Sequence, residues 1–350
     1  MSWGNFCLLL FGLSWALTGI YRSHALSKGY VDEPNARSAH FVITARGGGI
    51  VFASLWFVLL AVSGYMNWIH PKFLCIFGPA FFVALVGFKD DRKSASMWLR
   101  LAVQMLATVA SFYFLQLDPF QLITHFSLSE SINLALLMLG VLWMTNLMNF
   151  MDGSDGLAAT EAIMVLAAGG VLMSWAHGYS LTILLFGLVS LVAGFLTWNM
   201  PKAAIFMGDS GSGFLGYVIA VFALVTYKWY KIPFEIWVIL TGAFWFDASI
   251  TLIRRVLAGD KWTQPHCLHA YQRLIHGGWS HSAVLFGLIC VNVVLISMAI
   301  WAFKEPRFLH MILGMSVCFL TVIYIMVEIY KPMYKTWHNA PSKNMKKVTT

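Results

Sequence analysis

The sequence predicts an all-α, polytopic membrane protein with about eleven transmembrane helices, and three observations predict it. The 350 residues are 59% hydrophobic and only 11% charged, against about 25% charged in an ordinary globular domain. Runs without Asp, Glu, Lys or Arg recur along the whole length, each able to supply the roughly 20 apolar residues that a spanning helix needs. Lys and Arg then divide unevenly between the two sides that such helices define.

The first run, Met1 to Tyr21, has no Lys or Arg ahead of it and its first positive charge, Arg22, behind it. That is the reverse of a secretory signal, so it reads as a retained first helix. Gly47 to Pro71, Phe73 to Phe88, Leu101 to Leu117 and Ser131 to Met151 follow. Ala162 to Pro201 is about twice the length of a span and is interrupted by "AHGY", Ala176 to Tyr179, which splits it into two helices joined by a tight turn. Ser210 to Tyr227, Ile236 to Ile253, Ser282 to Phe303 and Phe308 to Val327 complete the eleven. Residues 1–330 thus form a single membrane domain and 331–350 a basic tail. The five cysteines, Cys7, Cys75, Cys267, Cys290 and Cys318, show no paired or metal-type spacing, and no disulfide framework is expected.

With eleven spans the connections alternate between two sides. One side carries 18 of the 23 Lys and Arg residues; the other has only Lys72, Lys228, Lys231, Lys304 and Arg307. The richer side is expected to be cytoplasmic, which puts the N-terminus in the periplasm and the C-terminus in the cytoplasm. The net charge of +8 then expresses topology and affinity for anionic lipid, and nucleic acid is not an expected partner.

The same assignment sorts the acids and histidines. "DEPNARSAHFVITARGGG" (Asp32 to Gly49), "GFKDDRKS" (Gly87 to Ser94), "NFMDGSDGLA" (Asn149 to Ala158), "FMGDSGSGFLG" (Phe206 to Gly216) and "HCLHAYQRLIHGGWSH" (His266 to His281) all fall on the cytoplasmic side. Five polar segments from distant parts of the chain converging on one face have the layout of a site. Asp90 and Asp91 end the third span, and neighbours on a helix differ by about 100 degrees, so one can face the bundle and the other water. Asp152 and Asp155 share a face if their turn is helical; caps for the next helix would account for them equally. Asp209 sits among Gly208, Gly211, Gly213 and Gly216, small residues that permit close helix packing or close approach of a phosphate. Carboxylates in a membrane-facing cleft suit Mg²⁺, or Mn²⁺ in its place, with phosphate and water completing its shell. Histidines and arginines beside them would hold phosphate charge, and the chemistry expected is phosphoryl transfer.

These motifs resemble the polyprenyl-phosphate N-acetylhexosamine-1-phosphate transferases. "NFMDGSDGLA", "FMGDSGSGFLG", "GFKDD" and the histidine loop occur in the family's order over nearly the whole chain. "WNMPKAAIFMGDSGSGFLGY" and "FDASITLIRRVLAGDKWTQPHCLHAYQRL" are similar to the branch that initiates O-antigen synthesis. The resemblance implies a multi-pass protein of the bacterial inner membrane. There a UDP-N-acetylhexosamine, either GlcNAc or a 6-deoxy derivative, gives its sugar 1-phosphate to undecaprenyl phosphate and leaves UMP. Asp209 would be the metal ligand. Asp90 and Asp91 would orient or deprotonate the lipid phosphate. Asn149, Asp152 and Asp155 would line the nucleotide site, Asp155 with a catalytic part as well, and His266 and His269 would meet the diphosphate. Besides these substrates, the implied partners are membrane lipid and a second copy of the chain.

The chain also departs from the family. The GlcNAc branch carries His-Arg-x-His-x-His where this sequence has His266, Cys267, Leu268, His269, Ala270 and Tyr271, and the consecutive histidines of the MurNAc-pentapeptide branch are absent. In the first loop Ile43 and Ala45 replace prolines. Arg273 is expected to replace the missing loop arginine, with Arg254 or Arg255 next in line, and the altered loop at Cys267 and Tyr271 to admit the 6-deoxy sugar. A secondary transporter would place its polar groups near the bilayer midplane; here only Asp247, Glu161 and Glu328 lie within spans, and Asp247 is close to the cytoplasmic end. A CDP-alcohol phosphotransferase would continue differently after Asp152 and Gly153.

Overall fold

In a computed structural model of the protein, residues 2–33, 42–117, 129–261, 264 and 266–334 are described. Arg37 and most of the basic tail, 335–350, lie outside them. The helices among the described residues are α1 (Trp3–Lys28), α2 (Gly49–Tyr65), α3 (Lys72–Phe77), α4 (Ala80–Arg92), α5 (Met97–Leu115), α6 (Glu130–Phe150) and α7 (Leu157–Trp175). They continue with α8 (Tyr179–Asn199), α9 (Asp209–Tyr230), α10 (Phe234–Leu240), α11 (Gly242–Leu257), α12 (Ala270–His276), α13 (His281–Lys304) and α14 (Leu309–Tyr330). One antiparallel pair, β1 (Val31–Asp32) with β2 (Thr44–Ala45), sets Val31 opposite Ala45.

Among the described residues, nine helices are long and apolar enough to cross a membrane, α3 and α4 counting as one. The other two predicted spans take a different form. α2 has 17 residues, the lower limit for crossing. The span predicted from Ile236 is broken, α10 and α11 meeting at 79°. Thr241 and Gly242 occupy the break, and the Trp245 indole N–H donates to the Val238 carbonyl at 2.8 Å, satisfying an acceptor that apolar surroundings would otherwise leave exposed.

α9 is the central post. Every residue from Ser210 to Thr226 is buried, and a helix apolar on all sides is a core helix. Glycines let its neighbours close on it. A Cβ at Gly49 would lie 2.3 Å from the Gly211 Cα, one at Gly87 2.4 Å from the Asp209 carbonyl, and one at Gly216 2.5 Å from the Met144 carbonyl. α2, α4 and α6 therefore touch α9 backbone to backbone. One level deeper, Trp56 packs edge-on against Phe77 and Phe214 at 5.6 and 5.5 Å, arrangements that add to the burial of their faces.

The polar segments meet at one end of this bundle. Phe206 donates to the Ala45 carbonyl at 2.8 Å and Gly48 to the Phe206 carbonyl at 2.9 Å, which joins the first loop to the approach of α9. Further links run from Asp91 to α9, from Asp155 to the 200–204 turn and from Tyr271 to the end of α6.

Candidate active site

Gly208 has φ 75° and ψ 175°, a conformation open to glycine alone. It aims the first N–H groups of α9 at Asp91, with Asp209 N at 2.8 Å and Ser210 N at 3.0 Å from the two carboxylate oxygens. A Cβ at Gly208 would meet the Asp91 carboxylate at 2.4 Å. An acid from α4 thus caps α9, supplying acceptors for orphan donors and a negative charge for the positive helix end. Arg46 Nε adds a third hydrogen bond to Asp91 at 3.1 Å. Its neighbour Asp90 accepts from the Ala95 N–H and, at 3.1 Å, from Arg100. Both acids of the pair turn inward.

Asp209 stands between two guanidinium groups. Arg46 NH2 donates to its Oδ1 at 3.0 Å and Arg100 NH1 to its Oδ2 at 2.7 Å. Arg46 comes from the first loop and Arg100 from the first turn of α5, so three distant segments share one carboxylate. The surrounding carboxylates hold Arg46 above its ordinary pKa against the opposing effect of burial. Asp152, half-buried in the loop after α6, receives the Gly208 backbone N–H; burial first, then the charge of Asp209, push its carboxyl well above the usual range. Asn149 donates to Ser212 Oγ at 3.1 Å and, with Arg100, Gln104, Asn146 and Asp209, lines a cavity of about 40 Å³.

The structure brings Asp90, Asp91, Asn149, Asp152 and Asp209 together and gives the remaining sequence-predicted residues other partners. Asp155 accepts from the Ala203 N–H at 3.1 Å and lies 3.9 Å from His281 Nδ1. It clasps the approach of α7 to the 200–204 turn and to α13. His269 Nδ1 lies 3.8 Å from Asp247, whose two oxygens also take the Ala270 N–H at 2.9 Å. The His266 ring sits 4.8 Å from that of His269, and burial, aided by His269 and Arg255, lowers its pKa to about 4; as it stands, it is a neutral imidazole. Tyr271 is buried and donates to the Phe150 carbonyl at 3.2 Å, so it ties the histidine loop to the loop after α6 and does not stand as an open wall for a sugar.

Arg273 has a different task from the one the sequence suggested. Its side chain is 3% exposed and donates to Glu328 at 2.6 Å and to the Lys331 carbonyl at 2.9 Å. The next candidates are equally engaged. Arg254 binds Glu328 with both terminal nitrogens at 2.6 and 2.9 Å, and Arg255 holds the Lys261 and Gln264 carbonyls. The cations at the carboxylates are Arg46 and Arg100, which sequence reading took as topology charges only. Their signal was position: Arg46 directly precedes Gly47–Gly49, and Arg100 lies inside an apolar helix that Ser96 caps.

Among the described residues, no three His, Cys, Asp or Glu side chains surround a single point as a ready metal cage. The acids that stand together, Asp90, Asp91, Asp152 and Asp209, are oxygen donors, the ligand type that a hard cation such as Mg²⁺ takes alongside phosphate and water.

Residues 73–227 match the sequence profile described as Glycosyl transferase family 4; these residues carry Asp90 through Asp209. The chain is 29% identical over 361 residues to the probable undecaprenyl-phosphate N-acetylglucosaminyl 1-phosphate transferase of Bacillus subtilis (strain 168), covering 94% of each chain. It is 25% identical to the undecaprenyl-phosphate alpha-N-acetylglucosaminyl 1-phosphate transferase of Yersinia pestis, over 83% of this chain and 81% of that one. It is 29% identical to the phospho-N-acetylmuramoyl-pentapeptide-transferase of Geobacillus sp. (strain WCH70), over 62% of this chain and 70% of the relative. Motif order, the meeting of those motifs around the head of α9 and these relatives agree: the chain is similar to glycosyl transferase family 4 and, over most of its length, to polyprenyl-phosphate N-acetylglucosamine-1-phosphate transferases.

Proposed function

We propose that the protein transfers a sugar 1-phosphate from a UDP-N-acetylhexosamine, GlcNAc or a 6-deoxy derivative, to undecaprenyl phosphate at the cytoplasmic face of the bacterial inner membrane. UMP leaves, and the lipid-linked sugar begins an O-antigen or a related glycan. The observation that carries this reading is Asp209, an acid held between Arg46 and Arg100 where five polar segments meet. The names of the relatives from Bacillus subtilis and Yersinia pestis support the substrate class.

The chemistry needs no protein nucleophile. An oxygen of the lipid phosphate attacks the phosphorus next to the sugar, and the bond from that phosphorus to the UMP oxygen breaks. Arg46 and Arg100, planar two-pronged donors, are suited to bind the diphosphate, and Asp90 lies beside Arg100 to orient the lipid phosphate. Asn149 from the last turn of α6 and Asp152 from the loop after it face the nucleotide. Asp209, with Asp152 nearby, would hold Mg²⁺ or Mn²⁺, which supplies charge neutralisation on the transferring phosphoryl group. The backbone donors that fix Asp91, and with it the head of α9, supply the preorganisation that such transfer depends on.

The test is UMP release by the purified protein in nanodiscs, with and without undecaprenyl phosphate, on UDP-GlcNAc and on a 6-deoxy analogue. Release should require the lipid phosphate and a divalent cation. Asp209→Asn, which keeps the size of the side chain but removes its charge, should lower it by at least about two decades, the scale on which lost transition-state electrostatics are felt. Lipid-independent release, or near-normal turnover by Asp209→Asn at limiting Mg²⁺, would overturn the assignment.

A further inference from the structure

We propose that Arg46 and Arg100 act as resident counter-ions of Asp209, which a divalent cation must displace, so that cation binding and release of the two arms are one event. This rests on the reading of Asp209 as the metal ligand and adds how that ligand is kept and exchanged.

The three acids at the head of α9 differ in what holds them. Asp91 is fixed by the backbone N–H groups of Asp209 and Ser210, and Asp90 by that of Ala95. Among the described residues, the Asp209 oxygens are held by side chains alone, one guanidinium to each oxygen, with Asn149 and Asp90 beside them. Asp209 is therefore the carboxylate whose partners can change without moving backbone. The two arms can move, because their side chains are 34% and 32% exposed. Each also has a second anchor, Arg46 on Asp91 at 3.1 Å and Arg100 on Asp90 at 3.1 Å. On leaving Asp209 they pivot locally and stay at the site.

Charge argues in the same direction. Counted as ionised, Asp90, Asp91, Asp152 and Asp209 against the two arginines leave two negative charges. A divalent cation cancels that excess and lies close enough to both guanidinium groups to repel them at the reduced dielectric of a half-buried site. The arms then face an incoming diphosphate, and binding of the cation and of the diphosphate reinforce each other.

The experiment measures Mn²⁺ binding by electron paramagnetic resonance, using the full-length protein in nanodiscs free of nucleotide and lipid phosphate. Arg100→Gln should bind Mn²⁺ about three- to tenfold more tightly than the wild type, the gain expected when a competing ion pair is lost. Arg46→Gln should do the same, and it carries the test if Arg100→Gln does not insert. Arg92→Gln controls for net charge, since Arg92 lies over the Phe88 and Tyr30 rings; it should change affinity less. Equal tightening by Arg92→Gln, or unchanged or weaker binding by the Arg46 and Arg100 variants, overturns the exchange. Asp209→Asn separates the two claims. If it abolishes Mn²⁺ binding while the arginine variants do not tighten it, the metal reading stands and the exchange falls; if it binds like wild type, both fall. Finally, Mn²⁺ should tighten UDP binding more in the wild type than in the Arg46→Gln/Arg100→Gln double variant. Equal coupling removes the link between metal and diphosphate.

Discussion

At the scale of single residues, the acids of one motif class have separate fates, decided by which donors reach them. Asp91 is a cap, Asp155 a clasp between loops, and Asp209 an acid held by movable cations. The sequence displayed the acids but not their partners, because those come from segments tens to more than a hundred positions away; Arg46 reaches Asp209 across 163 residues. Glu328 shows the same limit. Read from position alone, at the end of the last span, its loss should be mild. In the fold it accepts from Arg254 at 2.6 and 2.9 Å, from Arg273 at 2.6 Å and from the Met333 N–H at 3.1 Å. Glu328→Gln should therefore destabilise the protein by about 3 kcal/mol, the lower end of the cost of leaving a buried charge uncompensated, since Arg273 would keep only the Lys331 carbonyl and the Tyr324 ring, 5.1 Å away. Arg273→Ala should cost less, because Glu328 retains Arg254. Thermal unfolding of the purified variants in detergent measures both, and an unchanged midpoint for Glu328→Gln would refute the clasp.

At the scale of elements, hydropathy located the spans well because nearly all are long uncharged runs, and the "AHGY" turn was visible as an interruption; α7 and α8 end and begin around it. The 79° break between α10 and α11 was not visible, since Thr241 and Gly242 are ordinary residues of an apolar helix until neighbours satisfy the freed backbone groups. The glycines of "FMGDSGSGFLG" left packing and phosphate approach as alternatives, and the structure assigns Gly211 and Gly216 to packing. That yields a paired prediction. Gly87→Ala puts a methyl 2.4 Å from the Asp209 carbonyl and 2.7 Å from the Ser210 nitrogen, both backbone atoms that cannot rotate aside. α4 must back away, at about 1 to 3 kcal/mol for an overpacked contact, and it carries Asp90 and Asp91 with it. Gly213→Ala meets only a Val83 methyl at 3.8 Å, an ordinary contact. UMP release should fall sharply in Gly87→Ala and stay near wild type in Gly213→Ala. Equal activities would mean that the α4–α9 contact does not position the acids.

At the scale of the whole molecule, the fold brings the polar segments to one end of the bundle, and the side of the membrane which that end faces is decided by charge. Loops rich in Lys and Arg are retained in the cytoplasm. The end that holds Asp209 has Arg22, Lys28, Arg46, Lys89, Arg92, Lys93, Arg100, Lys202, Arg254, Arg255, Lys261 and Arg273, whereas Lys72, Lys228, Lys231, Lys304 and Arg307 are at the other. Several of these residues are also spent inside the protein. Arg46, Arg100 and Arg273 pair with acids, so part of the positive excess serves the site and the clasp as well as the topology. If orientation depended on those three, neutralising them would invert the protein. The remaining basic residues at that end still outnumber those at the other, so the orientation should hold. A reporter fused after Lys335 should read as cytoplasmic and one inserted between Asp118 and Glu130 as periplasmic, in the wild type and in the Arg46→Gln/Arg100→Gln variant alike. Both reporters on one side would break the count of eleven crossings, in which α2 and the bent α10–α11 pair each count as one. Exchanged sides would put the head of α9 in the periplasm, away from any nucleotide-activated sugar.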